Sequence, residues 1–484
     1  MIYIAFIAVY LFALIGIGVY KSTRIKTQAD FAVAGRSLTP WVLVGTMLAT
    51  WIGTGSVLGN AGKVYETGLA GLILPIGGVL GIIVLTRIAG KVRSYETFTV
   101  PEIIGSRYGT AARALAMVAL IAAYMVIVSY QYNAGGAVLQ AILLDSAGEP
   151  LLSMRTATII AAVFIITYTV LAGLVSVAFT DAATGVIMTV TLIIAFPILW
   201  FKAGGASGME TSFASMGLSD HMSFFGVYSA MDILNFCLPP FLLILGDANM
   251  YQRFSAASTA KGAKLATTIL IFAVLIVELL IVASAWVSSS MIPDAADGRH
   301  VLIYAARELL PVVLGAAIMT TIVGIIISTA DSFLLVPANT LVRDFYLPYV
   351  NKDAGEKQIV FVSRVLVLLL GVVAYGVSEL FAESETFFTK ALYAYTIYGA
   401  GVTPALVAAL FWSRATTAGA IASIVSGTAT TLLWKEASFV QRIVPESIYS
   451  VTDEVIPAIT ISVFFLVVVS LMSKRGAEAI KTPG

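Results

Sequence analysis

Few residues in this chain are able to do chemistry, and most of them are neutral. Gly53-Thr54-Gly55-Ser56, followed by Gly59 and Gly62, interrupts an apolar stretch. Ser328 and Thr329 stand side by side in a second stretch, and Tyr130-Gln131-Tyr132-Asn133 makes a polar cluster inside a third. Glycines within a membrane helix release backbone carbonyls, which are tolerated there only where protein or a water-lined cavity satisfies them. Carbonyls and hydroxyls together suit a hard cation such as sodium, and neutral oxygens hold it weakly enough to let it go. For Ser328 and Thr329 the other use is back-bonding to carbonyls of the preceding turn. Two acids, Asp181 and Asp331, lie at the edges of apolar runs. Within a span such a charge is functional by default. At the interface it is a solvated group or a partner for a nearby Arg or Lys.

Other chemistries are excluded. A lone cysteine, Cys237, and two histidines, His221 and His300, cannot build a zinc cage. No HExxH, GxSxG or P-loop pattern occurs. Gly53-Thr54-Gly55-Ser56 looks like the start of a phosphate loop, but it has neither the preceding strand nor the third glycine at fixed spacing. A net charge of +1, from 28 basic and 27 acidic residues, gives no footprint for nucleic acid. The expectation is a protein that is not an enzyme and has no nucleic-acid partner.

The elements that must position these groups are membrane helices. Of 484 residues, 59% are apolar and 11% charged, and the mean hydropathy is +0.96. A soluble domain carries about 45–50% apolar and about 25% charged residues. The apolar runs are long and continuous, which excludes the alternating ~10-residue strands of a β-barrel. Runs of about 20 residues span a bilayer, and the sequence predicts thirteen spans. They lie near 2–20, 41–62, 68–90, 112–145, 154–176, 182–203, 226–247, 266–290, 311–335, 358–382, 388–413, 416–435 and 455–473. The run 112–145 must tilt or project beyond the membrane.

The first run lacks a basic flank before it, and Lys21, Arg24 and Lys26 follow it, unlike a signal peptide. This predicts the N-terminus outside and, with thirteen spans, the C-terminus in the cytoplasm. Of the 28 Lys and Arg, 20 then fall on the inner side and 8 on the outer side, in keeping with the positive-inside rule. The expected location is a cell membrane, plasma or bacterial inner, with the lipid bilayer as a partner.

Thirteen spans divide as one, five, five and two. Because five is odd, the second group of five is inverted relative to the first, as in many secondary transporters. The predicted parts are 1–40, a peripheral first helix and cytoplasmic loop; 41–203, the first repeat; 204–225, an extracellular loop; 226–413, the second repeat; and 414–484, the last two helices and a cytoplasmic tail. Each repeat begins with a helix holding breakers: Gly53 and Gly55 in span 2, Pro239-Pro240 in span 7. Interrupted helices in corresponding positions point to a binding site near the midplane. Close packing at the glycines and a simple kink at the prolines are the alternative uses.

A solute pocket between the breaks draws on Trp51, Thr54 and Ser56 from span 2 and on Gln131 and Asn133, with Tyr130 and Tyr132, from span 4. Span 7 offers Asn235 and Asp232; span 11 offers Tyr395 and Tyr398, with Tyr393 and Thr396. Uncharged hydrogen-bonding groups and aromatic walls suit a small polar organic solute. Some of the tyrosines serve equally well as headgroup anchors.

Four segments carry a resemblance that covers nearly the whole chain. They are Ala49-Thr50-Trp51-Ile52-Gly53-Thr54-Gly55 through Gly59-Asn60-Ala61-Gly62; Leu171 to Asp181; Gly246-Asp247-Ala248-Asn249-Met250-Tyr251-Gln252-Arg253; and Ser328-Thr329-Ala330-Asp331-Ser332 with Arg343-Asp344-Phe345-Tyr346. In order and spacing they resemble the sodium/solute symporter family, which includes sodium/proline, sodium/glucose, sialic acid, pantothenate and choline transporters. The resemblance implies an all-α polytopic LeuT-type fold, with one helix before the five-plus-five core and two after it. It also implies sodium-coupled symport of a small solute into the cell by alternating access. Sodium is then the coupling ion, held by the carbonyls of Ala49, Ile52 and Ile325 and the hydroxyls of Ser328 and Thr329, with Asp181 near its exit route. Gln252-Arg253 is expected to close the inner end of span 7.

Trp51 resembles the choline subfamily, but Ile127 and Asp247 stand where its other cage tryptophans belong. The sodium/proline subfamily has an acid at the position of Trp51. The substrate therefore stays open, with Asp247 either a partner for a cationic solute or a residue of the inner mouth. The rival readings are a proton-coupled carrier on the same fold, using Asp181 or Asp331, and a channel or membrane sensor.

Overall fold

Apolar runs become helices because, in lipid, each segment must pair its own backbone donors and acceptors. The computed structural model describes residues 2–22, 25–95, 97–144, 149–293, 298, 300–380 and 386–473. Arg24, Arg299 and the tail from 474 onward, which entered the charge count above, lie outside the described residues.

The chain is all-helical in its regular structure. α1 is Ile2–Ser22, α2 Pro40–Trp51, α3 Ala61–Thr67, α4 Ile76–Ser94 and α5 Thr110–Ile142. The 49-residue segment Met154–Lys202 contains one non-helical residue, Gly173, at φ 59° and ψ 171°. Tyr168 Oη lies 2.8 Å from Thr180 Oγ1, 12 positions on. A straight helix would hold them about 18 Å apart, so the chain doubles back at Gly173. Its halves are α6 (154–172) and α7 (174–202). A side chain at Gly173 would meet Ile25 and Phe31 and would have to accept a positive φ.

α8 is Ala230–Gly246, α9 Ala248–Ala256, α10 Ala260–Ser289 and α11 Val312–Leu341. α12 is Glu356–Leu380, α13 Phe387–Gly401, α14 Thr403–Phe411, α15 Thr417–Glu436 and α16 Val455–Met472.

Among the described residues ten helices are long and apolar enough to cross a membrane, eleven if the bent pair Pro40–Trp51 and Gly55–Ile73 counts as one span. The thirteen spans expected from sequence are not reproduced by this measure. Two elements account for the difference. α4 carries three basic residues, Arg87, Lys91 and Arg93, toward one end. α6 and α7, though folded back at Gly173, count there as the single 49-residue span Met154–Lys202.

α11 is at the centre, with 72% of its apolar window buried, against 17% for α1 and 28% for α16 at the periphery. α2 and α11 both pack on the α6–α7 pair. Small residues permit the closest crossing: a side chain at Gly45 would lie 2.7 Å from Ala182, and one at Gly185 would lie 3.3 Å from the Gly45 carbonyl. Backbone pairing of Leu38 with Ala256 and Ser258, both 3.0 Å, ties the start of α2 to the end of α9.

The expected break at Pro239-Pro240 is not where the chain leaves helical geometry. α8 passes through both prolines and ends at Asp247, where ψ is 111°. Proline removes a donor but fixes φ near the helical value, so the helix can continue if its freed carbonyls are accommodated. α4 packs closely beside the prolines, where added side chains at Gly77 and Gly81 would meet the Cys237 and Phe241 carbonyls.

Candidate ion and solute site at a broken helix

α2 begins with Pro40 in its first turn and runs to Trp51. Ile52 still donates to the Leu48 carbonyl at 2.9 Å, but its ψ of 96° turns the chain out of the helix. Gly53 offers its carbonyl to the N–H groups of both Ser56 and Val57 at 3.1 Å, starting a second helical run. Gly55–Asn60 is wound as a π-helix, a form that recurs at functional sites. The runs on either side of the break meet at 51°.

Glycine is required at the break by close approach. A side chain at Gly53 would stand 3.1 Å from Thr329 Cγ2 and 3.2 Å from its Oγ1; one at Gly55 would stand 2.9 Å from Tyr395 Oη.

The break faces α11. Ser328 Oγ donates to Asp181 Oδ1 at 2.6 Å and lies 3.3 Å from the Ala49 carbonyl oxygen. A hydroxyl has one proton, and the shorter bond to a carboxylate takes it. The Ala49 oxygen and the serine lone pairs then meet as two acceptors. Thr329 Oγ1 is buried without a hydrogen-bond partner among the described residues, so neither hydroxyl spends itself on its own helix. Ile325, one turn earlier, is buried beside them. This set of oxygens suits a cation.

Electrostatics favour the same conclusion. Asp181 Oδ2 accepts from Thr46 Oγ1 at 2.8 Å and lies 3.5 Å from an Arg253 nitrogen. Arg253 and Asp181 are both enclosed, with side chains 0% and 1% exposed. Arg253 also donates to Ser332 Oγ at 2.6 Å, and Ser332 Oγ lies 3.3 Å from Asp331 Oδ1. Asp331 Oδ2 is buried without a hydrogen-bond partner among the described residues. Two acids share one base here, so a further positive charge, either a proton or a cation, completes the balance. Both acids are enclosed in protein, not solvated at an interface, and Arg253 joins them in place of merely closing a helix end.

Across the break lies a cavity of about 40 Å³. Trp51, Ser56 and Tyr395 line it, as expected, together with Phe236, Phe388 and Glu278. Thr54 Oγ1 hydrogen-bonds to Gln131 Oε1 beside it, and Gln131 Nε2 has no hydrogen-bond partner among the described residues. Tyr130 hydrogen-bonds to Tyr395 behind the cavity, while most of the other expected pocket residues point elsewhere. Asn133 donates to the Ser378 carbonyl at 3.3 Å. Asn235 holds the Val451 carbonyl at 3.0 Å and the Asp453 N–H at 3.2 Å. Tyr398 stacks with Tyr124 at 5.7 Å. Asp232 caps α8 in a capping box with Ser229, Thr396 back-bonds to Leu392, and Tyr393 lies under Lys435. Asp247 accepts from Tyr124 Oη at 2.5 Å and from the Asn249 N–H at 3.0 Å.

Phe236 and Phe388 pack edge to face, 5.4 Å between centroids. They line both the small cavity and a larger one of about 350 Å³ that contains Lys63, Trp434 and Asp453. The pair forms the partition between the two. Reading by residue type missed Glu278, although it was findable: it is the one charged residue between Lys264 and the end of α10.

A model of the sodium:solute symporter family matches residues 31–427. The high-affinity proline transporter PutP of Bacillus subtilis (strain 168) is 26% identical over 477 residues, covering 96% of this chain and 97% of its own length. A sodium/proline symporter of Haemophilus influenzae is 24% identical, with 98% and 95% covered. Among solved structures, a Na+-coupled sialic acid symporter in its substrate-bound outward-open state superposes with a TM-score of 0.81 at 16% identity, over 98% of each chain. Mhp1, a nucleobase-cation-symport-1 family transporter in a closed conformation, gives 0.58 at 12% identity, over 93% of this chain and 96% of its own. At these identities the structural likeness shows the fold.

Proposed function

The chain belongs to the sodium:solute symporter family, and on the premise of sodium-coupled symport across a membrane we propose how its residues do the work. Sodium is held between α2 and α11 by the carbonyls of Ala49, Ile52 and Ile325 and the hydroxyls of Ser328 and Thr329, with Asp181 on its way out. The solute takes the cavity bounded by Trp51, Ser56 and Tyr395, with Thr54 and Gln131 alongside. The observation that carries this reading is Ser328: its proton goes to Asp181 while its lone pairs face the Ala49 carbonyl at the helix break.

Coupling follows if both ligands prefer the same conformation. Sodium at the break favours an arrangement in which α2 and α11 are drawn together and the cavity is formed. Losing it to the cytoplasm releases the solute. The cavity's 40 Å³ is a few times the roughly 10–15 Å³ that one water needs, too little for a solute of amino-acid size, so admission requires the wall of Phe236, Phe388 and Leu392 that it shares with the larger cavity to shift. Relatives named as proline transporters support a solute of amino-acid size.

We read α4 as a span and α6 and α7 as two, which restores thirteen. That count supports the five-plus-five inverted repeat over 41–203 and 226–413, the N-terminus outside and the C-terminus inside.

The test is solute uptake into proteoliposomes with and without a sodium gradient, for the native chain and for Ser328→Ala with Thr329→Ala. The doubly substituted protein should lose its sodium dependence. Unchanged sodium dependence would move the ion elsewhere.

A further inference from the structure

Glu278 is a carboxylate in the middle of a membrane helix, about 27 Å along α10 from its start. It is 3% exposed and lines the small cavity. Ser56 Oγ donates to its Oε1 at 2.6 Å, and Asn60 Nδ2 lies 3.5 Å from its Oε2. Both donors are neutral. Among the described residues no Lys, Arg or His forms an ion pair with it. Of the other enclosed acids, Asp181 has Arg253 and Asp344 has Arg113 at 2.5 Å, whereas Asp247 and Asp331 form no ion pair among the described residues but do not line this cavity. An acid within a span is costly and marks a pathway or a ligand counter-ion.

The surroundings select the kind of cation. Trp51, Phe236, Phe388 and Tyr395 bring aromatic rings to the same cavity. Rings attract cations through their faces and are the usual walls for ammonium groups. An alkali or divalent ion takes a shell of oxygens alone, whereas here the oxygens of Ser56, Asn60, Glu278 and Tyr395 share the lining with aromatic rings. Ser56 and Asn60 fix the carboxylate and leave lone pairs on each oxygen for a ligand.

We infer that Glu278 is the counter-ion for a cationic nitrogen of the transported solute, so that the substrate class is an ammonium compound or a zwitterion carrying one. This rests on the reading that the cavity takes the solute.

The experiment measures thermal shift and binding on the purified chain in sodium chloride, with three nitrogen cations and two nitrogen-free isosteres. The cations are L-proline, glycine betaine and choline. The isosteres are tetrahydrofuran-2-carboxylate for proline and 3,3-dimethyl-1-butanol for choline. At least one cation should bind, and its isostere should not at the same concentration. Glu278→Gln should weaken that cation at least about tenfold, the loss of one charged partner, and keep the stabilisation given by sodium chloride alone. Equal binding of a cation and its isostere overturns the inference, as does equal binding by Glu278→Gln. So does binding of nitrogen-free solutes alone. Loss of the sodium effect in Glu278→Gln makes Glu278 an ion ligand and also overturns it. If that variant does not fold, the isostere pairs on the native chain decide. Trp51→Ala separates the two readings: weaker binding there with none lost in Glu278→Gln keeps the cavity and discards the counter-ion, while no effect of either discards the cavity.

Discussion

α2 and α8 occupy corresponding places in the proposed repeats and both carry helix breakers, yet they respond differently. At Gly53 and Gly55 the chain leaves the helix, turns by 51° and turns backbone oxygens toward α11. At Pro239 and Pro240 it stays helical. Glycine removes the side chain that restricts φ and ψ, so the backbone is free to go elsewhere, whereas proline takes away a donor and holds φ near its helical value. A membrane interior makes the contrast sharper, because a released carbonyl needs a new partner. Around α8 the glycine face of α4 packs close over the helix, and, seven residues past Pro240, Asp247 seals its own break with Tyr124 and Asn249. Around α2 the oxygens are left facing one another. Two interruptions that read alike in sequence thus give one sealed joint and one open set of acceptors.

The largest expected effect tests where the two helices meet. Asp181→Asn leaves Arg253, from the far side of the α8 joint, enclosed without its nearest carboxylate. A buried pair broken on one side costs about 3 kcal/mol, so the melting temperature in detergent should fall and sodium should no longer restore it. Next comes the sealed joint. Tyr124→Phe strips Asp247 of its 2.5 Å donor and should cost about 1–3 kcal/mol of stability, with the sodium concentration for half-maximal uptake unchanged. A changed sodium response would mean that the α8 joint, too, belongs to the ion site.

On the open side, Gly55→Ala sets a methyl 2.9 Å from Tyr395 Oη. Uptake should drop about tenfold, equivalent to about 1.4 kcal/mol. Adding Tyr395→Phe, which removes the clashing oxygen, should recover part of it; a double-mutant cycle reads the coupling. The smallest effect belongs to Pro239→Ala. The helix already runs through this position, so initial uptake should stay within about twofold, the range of substitutions that touch no special feature. A loss as large as that of Gly55→Ala would erase the distinction between the two joints.

Much of this was legible beforehand. Glycine spacing located the α2 break to within two residues of Ile52, and Ser328 with Thr329 was singled out from the pairing of hydroxyls and from a resemblance. The proline pair misled because proline already holds φ near the helical value and α4, more than 150 residues away in sequence, packs closely over this stretch. Asn133 and Asn235 were drawn into the pocket by polarity alone. Their amides are spent on the Ser378 and Val451 carbonyls, partners that no local pattern announces. Arg253 was read as closing a helix end, and its bond to Ser332 with the approach to Asp181 became visible only when three helices were placed together.

Composition and periodicity by themselves determined that this chain lives in lipid as a bundle of helices, since apolar excess and backbone pairing leave no other form. They also determined where the backbone was free to break. Which freed oxygens face a neighbour, which acid keeps a basic partner and which stands alone among rings was decided by the packing. Those outcomes depend on distances of a few ångströms between segments far apart in the chain, and only the folded arrangement sets them.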